Sequence, residues 1–135
     1  MTTPVSRKET FTFTAAEGVP PQVGPFAHAT RLGDLVFVTG QMPTDPATGG
    51  LVAGGLPEQA EQVRANLAAV LAQFGLTFDD ALHVRVYLRR FDEDFDAFND
   101  AYRTWFTGPL PARTTVGVTG LAVGALVEVD VIAGR

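Results

Sequence analysis

The sequence predicts an α+β fold in which one mixed β-sheet is covered on one face by two helices. Three observations predict it. Residues 57–74 and 92–106 carry helical apolar periodicity, and an alternating stretch at 81–90 separates them. Strand-like segments flank this unit, at 27–40 before it and at 113–132 after it. The 135 residues suit a single domain spanning 1–135, with a core that two helices can close over one sheet face.

The elements follow in chain order. "AEGVPPQVGPF" (16–26) is a turn-rich lead-in that Pro20, Pro21 and Pro25 keep extended. Before it, "ETFTFT" (9–14) reads as an extra strand. "AHATRLGDLVFVTG" (27–40) reads as a β-hairpin turning near Gly33 and Asp34. In its second strand Leu35, Phe37 and Thr39 face one way, and Val36 and Val38 the other. Both faces are mostly apolar, so the strand needs cover on each side. No third helix supplies it, which predicts that another copy of the chain does, sheet face to sheet face.

"QMPTDPATGGLVAGGL" (41–56) is a long loop rich in Gly and Pro. The helix at 57–74 starts with Pro57 in its first turn and ends at Gly75, with Ala60, Val63, Leu67, Val70, Leu71 and Phe74 as its apolar stripe. In the strand at 81–90, Leu82, Val84, Val86 and Leu88 share a face, and His83, Arg85, Tyr87 and Arg89 share the other. The helix at 92–106 opens on Asp92, Glu93, Asp94 and Asp96, where the helix dipole favours negative charge. Its aromatic stripe of Phe95, Phe98, Tyr102, Trp105 and Phe106 is core rather than a cofactor box. Strands at 113–118 and 126–132, joined by a short Gly-containing segment, read as an antiparallel hairpin.

Composition narrows the function. A net charge of −5 argues against a general nucleic-acid binder, which needs a basic surface. The absence of cysteine excludes disulfides, thiolate catalysis and cysteine metal sites. No 18-residue apolar run and no signal-type apolar segment is present, so a cytoplasmic location is the default expectation. His28 and His83 lack ligand spacing, so no metal site is expected. The glycines of 49–55 match neither G-x-G-x-x-G nor a P-loop. "RVYLRRF" (85–91) sets basic beside aromatic residues, but in an acidic chain it reads as a solvated or intersubunit sheet face. Thr39, Thr114 and Thr115 are strand formers with no base arranged to activate them.

Two charges stand out in the apolar C-terminal strands. Arg113 opens a β-branched run and Glu128 sits between valines. A hairpin folded near 120–122 would bring them within about 10 Å. One reading is an internal ion pair, since a partly buried arginine is costly without a carboxylate. The other keeps Arg113 free to bind a ligand carboxylate through its planar fork, with Glu128 handling a water or a proton.

Four segments carry a resemblance: "VGPFAHATRLGDLVFVTGQMPTDPATG" (23–49), "QAEQVRANLAAVLAQFGL" (59–76), "FNDAYRTWF" (98–106) and "PARTTVGVTGLAVGALVEVDVIA" (111–133). Together, from about residue 20 onward, the chain resembles the Rid family of reactive-intermediate deaminases, also called YjgF-like proteins. Residues 1–19 carry no recognisable signal. The resemblance implies a chorismate-mutase-like fold. It also implies a homotrimer whose sheets form a central barrel, with sites in the clefts between subunits. It implies hydrolysis of 2-imino or enamine acids of the 2-aminoacrylate type to 2-keto acids and ammonia, without metal or organic cofactor. The alternatives are a non-catalytic binder of small carboxylates, a homologue acting on another enamine or a carbamate-like group, and RNA cleavage, which the acidic charge disfavours.

The resemblance also assigns roles. Arg113 matches the arginine that grips the substrate carboxylate, and Glu128 the glutamate near the attacking water. Thr39 matches a small residue lining the cleft, Gly40 follows it in the "TGQ" pattern, and Asn99 matches a polar residue of the second helix. The backbone of Thr114 and Thr115 would border the imine. Two positions depart from the family pattern. Phe26 stands where the family has a tyrosine, which removes a phenol hydrogen bond and would weaken imine turnover or alter the substrate. Thr115 stands where the family often has cysteine, which reshapes the pocket.

Overall fold

The computed structural model describes residues 7–135. Six strands, β1 (Glu9–Phe11), β2 (Ala29–Leu32), β3 (Leu35–Gln41), β4 (Ala81–Leu88), β5 (Ala112–Gly117) and β6 (Val127–Gly134), form one sheet. Two helices, α1 (Leu56–Ala72) and α2 (Phe91–Arg103), lie on one side of it. The strand order is β1-β2-β3-β6-β4-β5, with only β4 and β5 parallel. The sheet is therefore mixed and the class is α+β.

The alternation rule accounts for the core. Val36 and Val38 of β3, Val84, Val86 and Leu88 of β4, and Val127, Val129, Val131 and Ala133 of β6 are buried on the helix side. Ala60, Val63, Leu67, Val70 and Leu71 of α1 and Phe98 and Tyr102 of α2 close over them. Helix α1 ends at Ala72, two residues short of the expected 74, and the turn after it closes at the expected glycine. Gly75 takes a left-handed φ of 69°, and Leu76 N donates back to Leu71 O at 3.0 Å. Helix α2 ends earlier than its aromatic stripe, at Arg103, yet Trp105 and Phe106 still pack on Phe78 and Tyr102 from the following turn.

The β2–β3 hairpin turns at Gly33–Asp34, with Gly33 at φ 59°. The expected strand in 9–14 is present as the short β1, paired antiparallel to β2. In β4, Leu82 departs from the face assigned to it. The register with β6 shifts between Ala81 and His83, and Leu82 is half exposed at that bulge.

The expected hairpin at 113–132 is corrected. Strand β4 lies between β5 and β6: β5 runs parallel to it on one side and β6 antiparallel on the other. The cause is apolar demand. Strand β6 buries every second side chain and takes a central place under α1, whereas β5 is mostly exposed and takes the edge. Helix α2 then serves as the crossover that a parallel β4–β5 pair requires.

Candidate active site

That topology separates Arg113 from Glu128. Arg113 is in register with Val84, which is fully buried under the helices, so its side chain points to the helix side. Glu128 is in register with Tyr87, an odd number of residues along β4, so it points to the other side. Two strand spacings and three residue rises put their Cα atoms about 14 Å apart with the sheet between them. The internal ion pair is thereby overturned. Neither residue has an ion-pair partner among the described residues.

Arg113 is held on its own side by α2. Its Nη2 donates to Asn99 Oδ1 at 2.8 Å, and its guanidinium carbon lies 4.8 Å from the Tyr102 ring centre and 6.0 Å from that of Phe95. Tyr102 is 4 % exposed. Burial pushes its phenol up to about 12, with Arg113 pulling the other way, so the ring beneath the guanidinium is neutral. Asn99, Tyr102, Arg103, Leu110, Pro111 and Arg113 line a cavity of ≈ 220 Å³. Thr115 follows on the same side as Arg113, with its hydroxyl buried and without a partner. Thr114 faces the opposite, open side.

The remaining site residues lie on the open side of the sheet. Phe26, Thr39 and Gly40 line a cavity of ≈ 430 Å³ together with Arg85 and Asp130. The ladder between β3 and β6 is irregular from Val38 to Gln41, and Gly40 there lies beside the Glu128 side chain. A Cβ at Gly40 would stand 2.9 Å from Glu128 Cδ, so a larger residue there would have to displace that carboxylate. Burial first, and Asp130 second, push the Glu128 carboxyl above its ordinary range. Asp130 is itself occupied: it accepts from Arg85 Nε at 2.9 Å and from Tyr87 Oη at 3.1 Å.

One chain thus holds the expected site residues in two separate clusters, a cationic one at Arg113 and a carboxylate one at Glu128, on opposite sides of the sheet. Sequence reasoning placed Tyr102 in the core and missed that its ring also carries Arg113. It missed Arg103 altogether, although the four-residue spacing from Asn99 puts both on one helix face. His28 is structural. It is buried, its Nδ1 accepts from Phe13 N at 2.9 Å, and its Nε2 donates to Pro20 O at 2.8 Å. Among the described residues no group of three or more His, Asp or Glu side chains is placed to hold a metal. Among the described residues no helix is long and apolar enough to cross a membrane.

Comparison with known proteins gives a consistent result. Residues 17–134 match the family described as endoribonuclease L-PSP. A RutC family protein of Pyrococcus abyssi is 38 % identical over 117 residues, covering 87 % of this chain and 91 % of that one. The 2-iminobutanoate/2-iminopropanoate deaminase of Mus musculus is 36 % identical over 114 residues, covering 84 % of each chain. The crystal structure of a Rid family protein of unknown function, YyfA from Yersinia pestis, superposes with a TM-score of 0.87 at 35 % identity, covering 96 % of this chain and 100 % of that one. The sheet and its two helices are the chorismate-mutase-like architecture of these neighbours. The chain belongs to the Rid family, also known as the YjgF or RutC family.

Proposed function

We propose that this protein hydrolyses reactive 2-imino and enamine acids of the 2-aminoacrylate type to 2-keto acids and ammonia. The observation that carries the proposal is Arg113: fixed by Asn99 and Tyr102, lining a cavity, and facing no carboxylate of its own among the described residues. A guanidinium so held is a preformed fork for an organic acid. Relatives named 2-iminobutanoate/2-iminopropanoate deaminase, at 35 % and 36 % identity, support the reaction class.

We infer further that the working unit is a homotrimer in which one copy supplies Arg113, Asn99 and the Thr114–Thr115 backbone. Its neighbour supplies Phe26, Thr39, Gly40 and Glu128. Separation of the half-sites by the sheet supports this division. So does the open face itself, where Leu32, Leu35 and Phe37 are 48 %, 40 % and 40 % exposed.

In the reaction Arg113 anchors the substrate carboxylate. Water adds to the carbon of the protonated imine, and Glu128 accepts its proton; burial makes this carboxylate a stronger base than an exposed one. The resulting carbinolamine takes that proton on nitrogen from Glu128; the C–N bond then breaks as the hydroxyl proton passes to the regenerated Glu128 carboxylate, and ammonia leaves as the ketone forms. Fixing acid and water in this way can lower the barrier by several kcal/mol.

The test is a coupled assay in which a dehydratase generates the enamine. Wild-type protein is expected to accelerate keto-acid formation, and Arg113→Ala and Glu128→Gln each to lose at least about a hundredfold. When those two inactive variants are mixed and reassembled, random trimers restore about a quarter of the sites, because one intact half-site of each kind then meets. No recovery would refute the shared site, and full activity of Arg113→Ala would refute the reaction. A second reading, a non-catalytic carboxylate binder, draws support from Phe26, whose ring offers no hydroxyl to the site. Keto-acid binding without turnover would select it.

A further inference from the structure

We propose that Arg103 is a second anion anchor beside Arg113, so that the site prefers 2-imino dicarboxylates over short monocarboxylates. The inference rests on the carboxylate-binding role given to Arg113 above and specifies the substrate class of that site.

The cavity beside Arg113 has an unusual lining for this chain. The protein has 15 acidic and 10 basic residues, yet the lining of this cavity holds two arginines and no acid. One guanidinium suffices to hold a monocarboxylate; the second asks for a second negative group. Arg103 is one helical turn beyond Asn99, and Asn99 touches Arg113 directly. Arg103 and Arg113 therefore border one cavity of ≈ 220 Å³, which has room for a four- or five-carbon diacid between them. Leu110, which is 61 % exposed, and Pro111 supply an apolar wall for the carbons between them.

Arg103 is also available. Its one ion-pair partner among the described residues is Asp100, at 3.0 Å, with the two side chains 67 % and 81 % exposed. Such a surface pair holds its members weakly, and a ligand carboxylate can take the place of Asp100. Arg113, by contrast, is fixed before the ligand arrives. The α-carboxylate therefore goes to Arg113, next to the reacting carbon, and the distal carboxylate to Arg103.

The experiment is calorimetry on the full-length protein with two product-like probes, 2-oxoglutarate and 2-oxopentanoate, which share a carbon chain and differ by the distal carboxylate. 2-Oxoglutarate is expected to bind about fivefold or more tightly, ~1 kcal/mol. Arg103→Gln should collapse that ratio, Arg103→Lys should keep part of it, and Asp100→Asn should raise it. Both positions are exposed, so the fold is not at stake. Affinities equal within about twofold, or a ratio that Arg103→Gln leaves in place, overturn the inference while the role of Arg113 stands. If neither probe binds, the proposed function fails and this inference with it.

Discussion

At the scale of single residues, the physics turns on two charges that the sequence marks and the fold separates. Glu128 is the more informative for stability. Its folded carboxyl lies above its ordinary 4.5 because burial, and then Asp130, disfavour the ionised form. A raised carboxyl holds its proton more tightly folded than unfolded. Its stabilising contribution is thus complete below the unfolded value and is lost as pH rises through the folded one. Glu128→Gln is therefore expected to raise the melting temperature at about pH 8, with the gain disappearing near pH 4, while activity falls. A gain that is equal at both pH values, or a loss at the higher one, would contradict the assignment. Arg113 and Glu128 were legible in the sequence because charges are conspicuous among valines. What each one touches was not, since Asn99 and Tyr102 reach Arg113 across a crossover that no local pattern encodes.

At the scale of elements, legibility followed locality. Helix α1, its glycine stop and the β2–β3 turn depend on residues a few positions apart, and the sequence pattern located them. The pairing of β5 with β4 depends on competition for the sheet centre. There the nearest-neighbour assumption failed, because β6 buries one whole face and β5 does not. The loop between β3 and α1 was read only as Gly- and Pro-rich, yet it is pinned from a distance. Asn66, fully buried on α1, donates through Nδ2 to Met42 O at 3.0 Å and Thr44 O at 2.9 Å, and accepts from Gln62 at 2.8 Å. Asn66→Ala strands two buried carbonyls and should cost about 2–3 kcal/mol. Because the loop leaves the sheet just after Gly40 and Gln41, its release also loosens the bed of Glu128. Urea titration should show the lost stability, and amide exchange should speed up across 42–52 beyond the global effect. Unchanged exchange there would remove Asn66 from this role.

At the scale of the whole molecule, the sheet has one dry face and one that is half apolar and half charged. Phe37, Leu35 and Leu32 crowd one part of the open face, while Arg85, Tyr87, Asp130 and Glu128 occupy the other. Each copy carries a net charge of −5, so the proposed trimer would carry 3 × −5 = −15, and its assembly would work against that repulsion. The drive must then come from apolar burial, at about 25 cal/mol per Å². Two consequences distinguish this from charge-driven association. Added salt should tighten the trimer, because screening beyond about 8–10 Å removes repulsion. Phe37→Asp should break it, because a carboxylate would be buried without a partner in the contact. Phe37 lies outside the helix-covered core, so the variant should keep its helical circular dichroism while sedimenting as a monomer. It should also lose activity, with Arg113 and Glu128 untouched, since each half-site would then face water instead of its complement. A wild-type protein that sediments as a monomer at micromolar concentration, or a Phe37→Asp variant that is monomeric and fully active, would show that one chain suffices and that the sheet does not divide the site.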